Sequence, residues 1–156
     1  MAIPAYFSLQ QRGSSGPDVA MIQTWLNGAR DNCSCYAKLT VDGKFGANVE
    51  NATREVQTKN DLTVDGKVGS DTWNTMYTKY TAAHGTTVPY PGLAARSGMS
   101  GAVVKYIQQQ LDQKGYSLTP DGHFGAKTAT AVRSFQTLNG LNADGVVGKD
   151  TWAKLA

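Results

Sequence analysis

The sequence predicts an all-α protein that consists of two tandem small three-helix bundles joined by a short linker. Three observations lead to this fold class. An internal repeat covers most of the 156 residues, apolar residues recur at helical spacing within each copy, and Asp-Gly loops separate the helical segments. Hydrophobic residues make up 40% of the chain and charged residues 17%, which is typical of a globular protein.

The repeat is continuous over the second part of each copy. The segment that begins at Phe45 recurs 79 positions later at Phe124, and the register holds as far as Trp73 and Trp152. Upstream the offset becomes 85, because copy one carries a six-residue insertion near 31–36. Identical pairs include Gly13/Gly98, Ile22/Ile107, Gln23/Gln108, Asp42/Asp121, Arg54/Arg133, Gln57/Gln136, Asp65/Asp144 and Gly66/Gly145.

The repeat divides the chain into three parts. Residues 1–80 form copy one, residues 81–92 form a linker that contains Pro89 and Pro91, and residues 93–156 form copy two. Two copies are too few for a solenoid, so we expect each copy to be a separate small domain.

The first helix of each copy follows a Gly-x-Ser-Gly loop. In copy one, Ser15 is placed to cap the helix, with Asp18 as its capping-box partner. Val19, Ile22 and Leu26 then share one helical face. The corresponding face in copy two consists of Val104, Ile107 and Leu111.

Two further helices follow in each copy, each introduced by an Asp-Gly loop. The second runs over about 47–60 and buries Ala52 and Val56, while its counterpart buries Ala131 and Phe135. The third begins near Asp71, where a carboxylate in the first turn suits the helix dipole. Its predicted core residues are Trp73, Met76 and Tyr77.

Several classes of function do not fit this sequence. The net charge is only +3 and the chain has no basic run, so we do not expect a nucleic-acid partner. No stretch approaches the roughly 20 apolar residues that cross a bilayer, so membrane insertion is not expected. The chain begins without a basic and then apolar segment, so no signal peptide is visible.

Catalytic and metal-binding patterns are also missing. The two histidines, His84 and His123, have no repeated role, and copy two has no glutamate at all. The loop that begins at Asp61 starts like a calcium loop, but Thr72 stands where a bidentate Glu is needed. We therefore expect no enzyme activity, no cofactor and no metal.

The two cysteines, Cys33 and Cys35, lie in the insertion and are separated by one residue. This spacing strains an intramolecular disulfide. We expect loop thiols or small buried side chains, with a strained disulfide or an intermolecular link as the alternatives.

The ordered motifs resemble a known family. In copy two they are Gly98-Met99-Ser100-Gly101, Asp121-Gly122-His123-Phe124-Gly125, Ala131-Val132-Arg133-Ser134-Phe135-Gln136 and Asp144-Gly145-Val146-Val147-Gly148-Lys149-Asp150-Thr151-Trp152. Together they resemble the peptidoglycan-binding type 1 family over nearly the whole chain. This resemblance implies a three-helix bundle that binds bacterial cell-wall peptidoglycan without cutting it and that is usually attached to a wall hydrolase.

The candidate ligand-binding residues lie on the second helix and in the Asp-Gly loops. The arginine of each copy can pair with a carboxylate of a stem peptide, and the glutamine three residues later adds neutral hydrogen bonds. The structural alternative is that the arginine braces a loop and that each aspartate orders its own Asx turn. The candidates are Arg54, Gln57, Asp42 and Asp65 in copy one, and Arg133, Gln136, Asp121 and Asp144 in copy two.

The aromatic residues divide into two groups. Trp73, Trp152, Phe45 and Phe124 are expected to pack in the cores. The less regular ones offer a ring face for sugars, namely Trp25, Tyr36, Tyr106 and Tyr116.

The leading hypothesis is therefore a bivalent, non-catalytic peptidoglycan-binding protein of the cell wall or extracellular space that targets or anchors a lysin, a wall hydrolase or a spore-cortex hydrolase. The alternative is a protein-interaction adaptor with the same three-helix fold.

Overall fold

A computed structural model describes residues 4–30 and 35–156. Each copy contains three helices, and no β-strand occurs among the described residues. The bounds in copy one are α1 Pro17–Ala29, α2 Ala47–Lys59 and α3 Ser70–His84. In copy two they are α4 Ala102–Gln113, α5 Ala126–Leu138 and α6 Lys149–Leu155. The predicted all-α class is confirmed, and α3 continues four residues into the segment that the sequence assigns to the linker.

The predicted apolar faces form the core, except that Tyr77 is only half-buried at its edge. Val19, Ile22 and Leu26 on α1 are fully buried. Trp73 and Trp152 are also buried, and their indole N–H groups donate to the backbone oxygens of Pro4 and Val88. The leading segment of copy one and the linker therefore act as covers for these tryptophans.

The loop before the first helix of each copy pairs with both Asp-Gly loops of that copy through isolated antiparallel bridges. Gln10 pairs with Val68, and Ser15 pairs with Lys44. The equivalent bridges in copy two join Ala95 to Val147 and Ser100 to His123. These short pairings satisfy the backbone of the loops without forming a sheet.

The N-terminus of α1 differs from the predicted capping box. Gly16 is the N-cap, and no side chain caps the helix. Asp18 is buried and bonds to the backbone of α4 in the other copy. Asp18 is therefore a capping residue, as the sequence pattern indicates, but it caps α4, which begins 84 positions later, and not α1.

The insertion packs back onto α1 where the structure describes it. The hydroxyl of Tyr36 donates to the Leu26 oxygen at 2.7 Å, and its burial raises the pKa of Tyr36 to about 12. Cys35 is disulfide-bonded, so the expectation of a loop thiol is wrong for this residue. Cys33, the only other cysteine of the sequence, lies outside the described residues.

Candidate functional site

The predicted glutamines and aspartates come together, with the glutamines buried in the interior and the aspartates at the surface. In copy one, Gln57 on α2 is only 1% exposed. Its Nε2 lies 2.9 Å from Oδ1 of Asp65, 2.8 Å from the Lys67 oxygen and 3.1 Å from Oγ1 of Thr72. Its Oε1 accepts the N–H of Gly66 at 2.9 Å. We call this arrangement a Gln–Asp clasp.

Copy two repeats the clasp closely. Nε2 of Gln136 lies 3.0 Å from Oδ1 of Asp144, 2.9 Å from the Val146 oxygen and 3.0 Å from Oγ1 of Thr151. Oε1 of Gln136 accepts the N–H of Gly145 at 3.0 Å. Both polar atoms of each glutamine are thus used by the fold, so Gln57 and Gln136 hold their loops together rather than facing a ligand.

Two further clasps join the first helix of each copy to its first Asp-Gly loop. Gln23 on α1 donates to Oδ1 of Asp42 at 2.9 Å, and Gln108 on α4 donates to Oδ1 of Asp121 at 3.0 Å. Gln23 and Gln108 are not among the site residues that the sequence predicts. The signal that could have found them is their identity in the repeat together with their place beside the apolar residues Ile22 and Ile107.

Each clasp aspartate also orders its own turn, as the structural alternative predicted. In all four loops the carboxylate accepts the N–H two residues later at 2.9 Å. The glycine that follows each aspartate has a φ between 71° and 79°, in the left-handed region that glycine adopts without strain. An Asp-Gly pair is therefore needed for the turn itself, independently of any ligand.

The same hydrogen bonds hold the clasp aspartates in their ionised form. The pKa of Asp42 is lowered chiefly by the Gln23 amide, and the pKa of Asp65, Asp121 and Asp144 chiefly by the backbone N–H two residues later. All four carboxylates remain at the surface. They add negative charge to the loops without being free to adopt other orientations.

The two candidate arginines lie over the second Asp-Gly loop of their copies. A Cβ atom at Gly66 would lie 3.0 Å from Nε of Arg54, and one at Gly145 would lie 3.1 Å from Nε of Arg133. Both side chains are exposed at the protein surface. The guanidinium groups therefore cover the loops as the structural alternative predicted, with one side still open to solvent.

The environments of the two arginines differ. Nη2 of Arg54 lies 3.4 Å from Oε1 of Glu50, whose other oxygen lies 3.5 Å from Nη1 of Arg12. In copy two the positions of Glu50 and Arg12 are held by Ala129 and Ser97. Within the part of the chain that the structure describes, Arg133 forms no ion pair with a carboxylate.

A shallow cleft adjoins the second clasp in each copy, at the start of the third helix. The cleft in copy one has a volume of about 230 Å³ and that in copy two about 220 Å³. Asp65 and Asp71 line the first, and Asp144 and Asp150 line the second. Their volumes are below the range of pockets that enclose a drug-sized ligand, so each cleft suits one sugar ring or one side chain.

The irregular aromatic residues are less available to sugars than the sequence suggested. Trp25 is fully buried and Tyr106 is 4% exposed, because both lie in the common core. Tyr36 and Tyr116 are half-buried at its edge. A stacking platform made of all four rings is therefore excluded.

Two features are absent from the described residues, a helix that could span a bilayer and a cluster of metal-binding side chains. None of the helices there has the length and apolar character that a bilayer span requires. No group of three or more His, Cys, Asp or Glu side chains in residues 4–30 and 35–156 is arranged to hold a metal ion.

Comparison with known proteins gives the family. The family model described as "Putative peptidoglycan binding domain" matches residues 15–76 and 100–155. The N-acetylmuramoyl-L-alanine amidase CwlL of Bacillus licheniformis is 31% identical over 165 residues, which cover 95% of this chain and 45% of the amidase. A zinc D-Ala-D-Ala carboxypeptidase of Streptomyces albus G is 39% identical over 61 residues, 37% of this chain and 24% of the carboxypeptidase. The chain thus spans less than half the length of these relatives.

Among solved structures, a peptidoglycan-binding protein from Clostridioides difficile in complex with glutamine hydroxamate is 47% identical, with a TM-score of 0.41. The match covers 41% of this chain and 40% of that one. The segments that the family model matches contain every helix of the two bundles except the end of α3, which continues to His84. This chain belongs to the peptidoglycan-binding domain family, of which it contains two tandem copies.

Proposed function

We propose that this chain binds bacterial peptidoglycan through its two copies and does not cleave it. The family description and the presence of two complete copies support this function. Relatives that share the domain are named as amidases and a carboxypeptidase. We therefore propose a location at the cell wall or outside the cell, and a wall hydrolase as the enzyme that the chain targets or anchors.

Arg133 is the residue on which the proposed ligand site depends. Its guanidinium is exposed and lies over the Asp144–Gly145 turn, where its charge helps to lower the pKa of Asp144. Among the described residues it forms no direct ion pair. Stem peptides of peptidoglycan carry free carboxylates, and a guanidinium can bind such a group through two parallel hydrogen bonds. The small cleft beside Asp144 would receive the neighbouring peptide side chain or sugar ring.

Copy one binds more weakly in this proposal. Glu50 already pairs with Arg54, as well as with Arg12, and a ligand carboxylate would have to displace it or share the guanidinium with it. The Ala129 of copy two removes this competition. The difference gives an internal control, since the same arginine occurs with and without its acidic neighbour.

The test is binding of purified, insoluble peptidoglycan by the full chain and four variants. Arg133→Ala should weaken binding by about ten- to a hundredfold, through the loss of a charge-assisted pair of hydrogen bonds. Arg133→Lys should recover only part of the loss, because an ammonium group lacks the planar fork. Glu50→Ala should strengthen binding by copy one, because it removes the acidic neighbour of Arg54, whereas Arg54→Ala should have the smallest effect.

Equal losses for Arg54→Ala and Arg133→Ala would contradict the proposed difference between the copies. Normal binding by a folded Arg133→Ala variant would leave Arg133 as a loop brace only. No binding of any variant or of the unmodified chain to peptidoglycan would favour the protein-interaction adaptor. Release of soluble wall fragments by the purified chain would contradict the non-catalytic function.

A further inference from the structure

The N-termini of α1 and α4 meet between the two copies, and a single carboxylate lies between them. Oδ2 of Asp18 accepts the N–H of Ala102 at 2.8 Å, and Oδ1 accepts the N–H of Val103 at 2.9 Å. Asp18 is only 6% exposed. Burial raises the pKa of Asp18, and the hydrogen bonds from Val103 and Ala102 oppose that effect. The positive ends of two helix dipoles lie at this carboxylate and favour its ionised form.

Copy two has no cap of its own for α4. Its N-cap is Gly101, which has no side chain that could cap the helix, and the first turn of α4 contains no acidic residue. Gly101 has a φ of 137°, and a Cβ atom at this position would collide with the carboxylate of Asp18. The equivalent Gly16 has a φ of 121° with no side chain against it, so this backbone conformation belongs to the repeat. At Gly101 the absence of a Cβ atom leaves the space that the Asp18 carboxylate occupies.

The repeat itself explains why the carboxylate is on copy one. The equivalent of Asp18 is Val103, and the equivalent of Ala102 is Pro17, which has no N–H to donate. A carboxylate at 103 would therefore find one backbone donor fewer on α1 than Asp18 finds on α4. Two carboxylates at this contact would repel each other, so Asp18 with Val103 fits this interface better than an aspartate at both positions.

Contacts on both sides of Asp18 extend the interface. The ring of Phe7, from the leading segment of copy one, packs over Gly122 and forms an edge contact with His123 at 6.0 Å between ring centroids. In the opposite direction, Leu93 of copy two packs over Gly43. Each copy therefore covers the first Asp-Gly loop of the other.

We propose that Asp18 fixes the relative orientation of the two copies, so that the chain presents its two wall-binding faces as one rigid unit. The two copies are then a fixed pair rather than the two separate small domains that the repeat predicts. The part that concerns the wall rests on the proposed function. A rigid pair gains from bivalency only when the polymer presents its groups at a matching separation and angle.

The first test measures orientation without any ligand. In the unmodified chain, residual dipolar couplings of the two copies should fit one common alignment tensor. Asp18→Asn should break this common alignment and should speed amide exchange at Ala102 and Val103 by about tenfold or more, because an amide offers one oxygen and turns its NH₂ toward the other N–H. Glu55→Gln, which removes a carboxylate on α2 away from the contact, should change neither measurement.

The double variant Asp18→Val, Val103→Asp separates this role from general stability. It keeps one buried carboxylate at the interface, but only one N–H of α1 can face it, so protection of the α4 amides should stay low. Separate alignment tensors in the unmodified chain would overturn the proposal, as would unchanged orientation and exchange in Asp18→Asn. A rigid chain that does not bind peptidoglycan would contradict the proposed function and leave the role of Asp18 intact.

Discussion

At the scale of single residues, the four buried glutamines are the main structural determinants of the loops. Each lies on a helix and is 1% exposed, with its amide joined to an Asp-Gly turn. Apolar periodicity identifies core positions by their hydrophobicity, so it assigns a glutamine to the surface. The burial of Gln57 and Gln136 depends on partners that only the folded loop brings together.

Replacing Gln136 with leucine should destabilise copy two although leucine has a similar size. The N–H of Gly145 and the hydroxyl of Thr151 would lose their partner in the interior. We expect a loss of about 2–4 kcal/mol in the free energy of unfolding, measured by urea denaturation. Gln113→Leu on the exposed end of α4 is the matched control, with an expected change within about 0.5 kcal/mol. Equal effects of the two substitutions would show that the clasp contributes nothing.

The clasp aspartates also predict how stability depends on pH. Hydrogen bonds lower the pKa of Asp42, Asp65, Asp121 and Asp144 in the folded state, so the unfolded chain takes up protons first as the pH falls. Their contribution is complete above the unfolded pKa of about 3.9 and is lost as the pH falls through the folded values. Urea denaturation at pH 7, 4 and 3 should show this decline, and Asp144→Asn should make it shallower. An identical slope in the variant would contradict the prediction.

At the scale of elements, the chain uses one supersecondary unit four times. A helix with a buried glutamine leads to a loop, an Asp-Gly turn and the start of the next helix. Helix existence and the apolar faces followed from spacing in the sequence, because those interactions are local. The contact between Asp18 and α4 could not be predicted in this way. Ser15 and Asp18 match a local capping box, and a contact 84 positions away leaves no periodic pattern in the sequence.

The four clasps differ at one position, which gives a test of the unit. Gln108 bonds to Oγ1 of Thr128 at 3.0 Å, whereas the equivalent residue on α2 is Val49. Val49→Thr should change stability by less than about 1 kcal/mol, because the new hydroxyl would meet the Gln23 amide. Val147→Thr, at a core position without such a partner, should cost about 1–3 kcal/mol. Thermal unfolding measures both, and equal costs would contradict the equivalence of the clasps.

At the scale of the whole molecule, the repeat sequence suggested two independent bundles, and the contacts give a shared core. Buried residues of α1 and α4 belong to one hydrophobic cluster that also contains residues of all the other helices. Sequence similarity between the copies shows that each has the same fold. It does not reveal the contact between them. Asp18, which makes the hydrogen bonds across this contact, is replaced by Val103 in the other copy, and the shared glycines Gly43 and Gly122 only leave the space that Leu93 and Phe7 occupy.

This shared core predicts that the two halves stabilise each other even when the chain is cut. Fragments 1–92 and 93–156 should each unfold at least about 5 °C below the intact chain. Separation exposes the surface that each copy buries against the other, and a small domain has little other buried surface to stabilise it. Mixing the fragments should restore part of the difference, as the Asp18 carboxylate again caps α4. The same mixture with Asp18→Asn in the first fragment should restore less. Fragments that melt at the temperature of the intact chain would show that the copies are independent domains after all, since no stabilisation would then come from their contact.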